Sequence, residues 1–259
     1  MTIAEIVKNK ETIMAQKKAV MKYADGCSYM DENIRVFQNN EEIIGKAITN
    51  IDELDTIQVK AAINTTNILD SHGDVHIKGL WNKSLKENKM IMHLQEHKMS
   101  FDSIIADGED LKPSTKDMTF KELGYKMDGD TQVLFFESTV KMERNLYMFK
   151  QYANGRVKNH SVGMRYVKMF LAVNDDNYKE EKAIWDKYYP TIANKEDADA
   201  QGYFWAVTEA KVIEGSAVPI GSNQITPTIE VAAKGTTEII EPPNNGTRTK
   251  SLMFNILNS

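Results

Sequence analysis

The stretch Val157-Lys158-Asn159-His160-Ser161-Val162-Gly163-Met164-Arg165-Tyr166-Val167 decides how this chain is read. Its strand-forming residues run on to Val173 and predict one long strand over 157–173. Side chains alternate along a strand, so Ser161, Gly163 and Arg165 share one face. A serine set among apolar strand residues and followed by a glycine presents its hydroxyl with open backbone around it. That makes Ser161 a candidate nucleophile, which needs a base and a group to orient the base. His97 upstream supplies an imidazole and Glu214 downstream a carboxylate, in the chain order His, Ser, acid. His93 is the alternative to His97, and Glu209 the alternative to Glu214.

Outward from this strand, the pattern is mainly β. Ile34–Phe37, Ile57–Ile63, Gln132–Val140 and Phe204–Glu214 have strand character. Asp70-Ser71-His72-Gly73-Asp74 reads as a turn, and Leu80–Lys89 as a short helix. Met90–His97 is a buried strand or a continued helix. Arg144–Asn154 is helical and stops at Gly155. Residues 2–24 form a surface helix with a lysine-rich face, with Asp25-Gly26 as its stop. Residues 174–201, dense in charge and tyrosine with Pro190 inside, are an inserted helical excursion or a mobile loop. The expected organisation is an N-terminal helical extension over 1–33, a body over 34–231 and a flexible tail over 232–259. The tail holds the linker-like Glu241–Gly246 and the apolar Leu252–Leu257.

Composition narrows the function. Of 259 residues, 41% are hydrophobic and 27% charged, which suits a globular protein. The net charge of -5 gives no basis for nucleic-acid binding. The single cysteine, Cys27, excludes an internal disulfide and a cysteine-rich zinc site, and reads as a bland thiol. No apolar run is long enough to span a bilayer, and Met1–Glu5 lacks the pattern of a secretory leader. A cytoplasmic setting is expected.

The histidines allow a second chemistry. His72/His76 and His93/His97 are spaced i, i+4, which on a helix puts both rings on one face. His93-Leu94-Gln95-Glu96-His97 also fits the H-x-x-E-H pattern of inverted zinc peptidases, with Glu96 as base. The Asp70–Asp74 turn argues against the first pair. If Met90–His97 is a strand, Ile91, His93, Gln95 and His97 share one side instead. The bland reading makes His93 and His97 satisfied histidines at a strand end.

Several segments together resemble the prohead serine proteases of tailed bacteriophages. They are Asp70-Ser71-His72-Gly73-Asp74-Val75, Gly79–Leu85, Glu96-His97-Lys98, His160-Ser161-Val162-Gly163-Met164, and Ile213–Pro219 with Asn223. The resemblance covers about residues 57–228 in family order. It departs from the family in the charged 174–201 stretch and in Lys98–Phe101 after the histidine. The resemblance implies an α+β fold, mainly β: a herpesvirus-assemblin-like mixed β-barrel with surrounding helices. It also implies a serine endopeptidase (a hydrolase) with His97 as base, Ser161 as nucleophile and Glu214 as third member, and no cofactor or metal. Its substrates would be scaffold protein, the N-terminal region of the major capsid protein and the protease itself, with self-association possible. Its place would be inside the viral procapsid, in the bacterial host cytoplasm. A zinc-dependent peptidase and a non-enzymatic capsid- or scaffold-binding protein stand as the alternatives.

Overall fold

Long alternating segments become strands, and their order is set by which faces must be buried. The structure, a computed structural model, describes residues 1–21, 35–38, 41–42, 47–221 and 223–233. Its strands are β1 (Arg35–Gln38), β2 (Glu41–Glu42), β3 (Thr56–Thr65), β4 (Asp74–His76), β5 (Met92–Gln95), β6 (Ile104–Ala106), β7 (Leu111–Thr119), β8 (Asp130–Lys141), β9 (Asn159–Val173), β10 (Tyr203–Val218) and β11 (Thr228–Ala233). Its helices are α1 (Ile3–Lys8), α2 (Lys10–Ala19), α3 (Asn82–Glu87), α4 (Leu146–Ala153), α5 (Lys179–Tyr188) and α6 (Lys195–Gln201).

One sheet has the order β2-β1-β11-β3-β8-β7. The other is built on β10, which pairs antiparallel with β9 along one edge and parallel with β4 and β5 along the other. The two sheets face each other. Ala61, Ile63, Leu134 and Phe136 of the first meet Val162, Met164, Tyr166 and Val212 of the second in one buried core. The approach is close at Gly215, where a Cβ would lie 2.6 Å from Phe136 and 2.7 Å from Ile63. The class is α+β as expected. Among the described residues, however, the sheets remain separate and form no closed barrel. At the edge of the first sheet, β7 carries Pro113, whose missing N–H suits an edge strand.

The charged 174–201 stretch is helical. Trp185 of α5 is buried against Phe204 of β10 and stacks on Tyr189, with ring centroids 4.8 Å apart. The N-terminal helix breaks at Asn9 and ends at Ala19, short of the expected stop. Asp25-Gly26, Cys27, Glu241–Gly246 and Leu252–Leu257 lie outside the described residues.

The lysine-rich face of the N-terminal helices contains an anchor. Ile3, Ile6, Val7, Ile13 and Met14 pack on the core. Lys17 reaches in to the buried carboxylate of Asp74 and donates to the His72 carbonyl at 3.1 Å. Asp74 also accepts from the Tyr166 hydroxyl at 2.8 Å. Asp70 lies beside it, its pKa raised by burial and then by the Asp74 charge. Lys17 is thus the cation that compensates the buried Asp74 carboxylate. Lys17→Ala should lower unfolding free energy by about 3–5 kcal/mol, as expected when one partner of a buried ion pair is removed. Chemical denaturation checks this. The double variant Lys17→Met/Asp74→Asn should recover most of the loss.

Candidate active site

The site forms where β9 and β10 run side by side. Their register sets Ser161 opposite Ser216 and Gly163 opposite Glu214. Residues directly opposite in a ladder share a face, so these four lie together on the side away from the core. Strict alternation along β10 would have put Glu214 on the inner face with Val212, which pairs with Met164. A register shift between Val212 and Glu214 turns the carboxylate outward instead. The carboxylate then lies over Gly163: a Cβ at that position would be 1.9 Å from Glu214 Oε1. The glycine is therefore the space that the carboxylate occupies.

His97 reaches this carboxylate from the other edge of β10. After Gln95 the chain leaves β5 with Glu96 and His97 both left-handed, at φ 51° and 57°. Such a conformation costs a non-glycine residue roughly 1–2 kcal/mol, so surrounding bonds must hold it. The Glu96 N–H donates to the Ala217 carbonyl at 3.0 Å, and the His97 N–H to Ser216 Oγ at 3.0 Å. The imidazole Nδ1 meets Glu214 Oε1 at 2.6 Å. Ser216 Oγ in turn donates to Glu214 Oε2 at 2.6 Å. Both oxygens of a fully buried carboxylate are thereby satisfied, as burial of a charge requires. With Nδ1–H held by Glu214, a neutral imidazole keeps its lone pair on Nε2, the tautomer a general base needs.

The structure thus brings His97, Glu214 and Ser161 onto one face of one sheet. Ser161 is buried, at 4% exposure, one cross-strand step from Ser216. Among the described residues no direct hydrogen bond joins Ser161 Oγ to the His97 ring; catalytic bonds are often longer in the unliganded protein. Arg165 lies on the same face, two residues past Gly163, and is exposed.

The alternatives sit elsewhere. Glu209 is ion-paired with Lys168 at 3.1 Å and Lys83 at 3.4 Å, and these lysines lower its pKa. His93 does not share a side with His97, because the left-handed turn takes His97 off the strand. It points inward, with Nδ1 2.9 Å from Ser138 Oγ and Nε2 3.0 Å from the Tyr152 hydroxyl. His93, Glu96 and His97 therefore share no helix face and do not converge. Among the described residues no group of three or more His, Cys, Asp or Glu is arranged to hold a metal ion. The His72/His76 spacing falls across a turn and a strand, and His76 bonds Asn64 and Tyr166. Asn223 is buried against Thr65 and Asn64. Ser216 was given no role by sequence, although its i, i+2 spacing from Glu214 places both on one face.

No protein-family model, no curated protein and no solved structure matches this chain. No described helix is long and apolar enough to cross a membrane.

Two outcomes follow from this geometry. Gly163→Ala should displace the Glu214 carboxylate and break its bond to His97, because the new methyl would occupy the same space. Loss of the low-field His97 Nδ1 proton signal in NMR is the readout. The buried His93 and His160 titrate below the ordinary histidine range. Burial lowers both, His93 well below and His160 to about 4. Both stay neutral when folded but protonate near 6.5 when unfolded. Their contribution to stability is therefore full above pH 6.5 and is lost as pH falls toward 4. Unfolding free energy should drop by up to about 1.4 kcal/mol per pH unit per histidine in that window. His160→Gln should flatten this slope in acid-denaturation curves.

Proposed function

We propose that this chain is a serine endopeptidase in which Ser161 is the nucleophile, His97 the general base and Glu214 the orienting acid. The observation that carries the reading is the 2.6 Å bond from His97 Nδ1 to a carboxylate seated over Gly163, on the strand face that Ser161 shares. Ser161 Oγ attacks the peptide carbonyl while His97 Nε2 takes its proton. The imidazolium formed is stabilised by Glu214, which Ser216 keeps in place. The same proton passes to the leaving amine, giving an acyl-enzyme. A water, deprotonated by His97, then attacks the acyl carbonyl, and the same proton passes to Ser161 Oγ as the ester bond breaks and the acid product leaves. In β9 the His160 N–H points away from β10, to the Thr226 carbonyl at 3.0 Å. Alternation directs the main chain of Ser161 and Gly163 toward β10. This favours Arg165 over the Gly163 N–H as the charge facing the oxyanion.

The resemblance to phage prohead proteases supplies the finer proposal. The fold would be a variant of the assemblin-like architecture. The substrates would be scaffold, the capsid protein's N-terminal region and the chain's own ends, cut inside the procapsid in the host cytoplasm. Two facing sheets, with Ser161 opposite Ser216 and His97 bonded to Ser216 and Glu214 on the same face, support it.

Intact mass followed over time, with scaffold and capsid protein added, tests the reading. Ser161→Ala and His97→Ala should each slow cleavage by about 10³-fold or more while the melting curve is retained. Glu214→Gln should slow it by about 10²–10⁴-fold. Cleavage that persists in pure Ser161→Ala protein and stops with a chelator would sink the assignment. No cleavage at all would favour a structural partner of the capsid.

A further inference from the structure

Directly behind Ser161, on the inner face of the same sheet, lies a second set of polar side chains that the proposed chemistry does not use. It runs from β8 through β5 and α4 to β9. Ser138 Oγ is 2.9 Å from His93 Nδ1. The Tyr152 hydroxyl is 3.0 Å from His93 Nε2 and 2.9 Å from His160 Nε2. His160 Nδ1 is 3.2 Å from the Thr226 carbonyl. All four side chains are buried, the two histidines and the tyrosine fully.

Elimination fixes the protons along this chain. A carbonyl only accepts, so His160 Nδ1 carries hydrogen and its Nε2 is a lone pair. The Tyr152 hydroxyl therefore donates to His160. Its oxygen accepts from His93 Nε2–H, and His93 Nδ1 accepts from Ser138 Oγ–H. Every donor then has one acceptor, with both rings neutral, in accord with the lowered pKa of each.

The placement gives the chain a task. His93 lies four residues before His97 on the segment that delivers the base. His160 is the neighbour of Ser161. The two strands flank β10, and their histidine rings approach to 5.9 Å across it. We infer that Ser138, His93, Tyr152 and His160 form a brace that holds β5 and β9 in fixed relation and so sets Ser161 against His97. These are positioning residues, and the inference rests on the peptidase reading above.

The test compares full-length wild type, Tyr152→Phe and Ser138→Ala. Tyr152→Phe keeps the ring and removes both hydroxyl bonds. It should lower kcat, and the rate at which diisopropyl fluorophosphate labels Ser161, by about tenfold or more, because small displacements of reacting groups are costly. KM should stay within about twofold, the mark of an effect on the reacting groups rather than on binding. Solvent exchange of the His97 Nδ1 proton, read by NMR, should quicken. Unchanged rates and unchanged exchange, with only a lower melting temperature, would overturn the brace and leave a purely structural network. If wild type is never labelled at Ser161, the peptidase reading fails, and the exchange rate of the His97 proton still decides the brace. If Tyr152→Phe does not fold, Ser138→Ala decides by the same split between kcat, KM and proton exchange.

Discussion

A carboxylate with no solvent contact must be satisfied on both oxygens, and at Glu214 that demand organises the structure around it. One oxygen goes to His97 Nδ1 and the other to Ser216 Oγ. The register shift before Glu214 turns it to the outer face. Gly163 leaves the volume it fills. The left-handed pair Glu96–His97 brings the imidazole over. Ser216 closes the circuit by accepting the His97 backbone N–H while donating to the acid. An unpaired buried charge costs several kcal/mol, far more than any one of these distortions. The strain at Glu96 and His97 is therefore the smaller of two costs.

The strand β10 carries this load because it is used on both faces. Outside are Glu214 and Ser216. Inside is Gly215, whose missing side chain lets Phe136 and Ile63 close on the sheet; on the same side the rings of His93 and His160 approach to 5.9 Å. Parallel pairing with β5 at one edge and antiparallel pairing with β9 at the other sets Leu94, Ser216 and Ser161 in one row. His97 and Ser161 come from opposite sides of one strand.

How much of this was legible in the sequence depends on the residue. The long alternation of β9 and β10 was readable, as were β3, β8 and α4, because burial on one face leaves a period. The strand β7 left no such trace. Its Lys112, Pro113, Lys116 and Asp117 lie at a sheet edge, where only part of each face is covered. His97, Ser161 and Glu214 could be named from residue type and order. The left-handed turn at Glu96–His97 could not, since neither residue is a glycine or asparagine that would announce it. Nor could Lys17 be told from Lys8, Lys10 or Lys18: only tertiary packing selects the lysine that faces Asp74. The separation of His93 from His97 was hidden for the same reason, because it follows from the turn and not from spacing.

The register of β9 is fixed by polar groups as well as by apolar ones. Val162, Met164 and Tyr166 are buried in the core, whereas Arg165 and Val167 on the opposite face are exposed. A slip by one residue inverts every side chain, taking these apolar groups and His160 off the inner face and turning Ser161 into the core. It would take the His160 acceptor from the Tyr152 hydroxyl and the His160 donors from the Thr226 carbonyl. Each orphaned buried group costs about 1–3 kcal/mol, so the slipped state lies well above the native one. The buried His160 therefore adds to apolar matching on this strand: both favour one register, the one that sets Ser161 opposite Ser216.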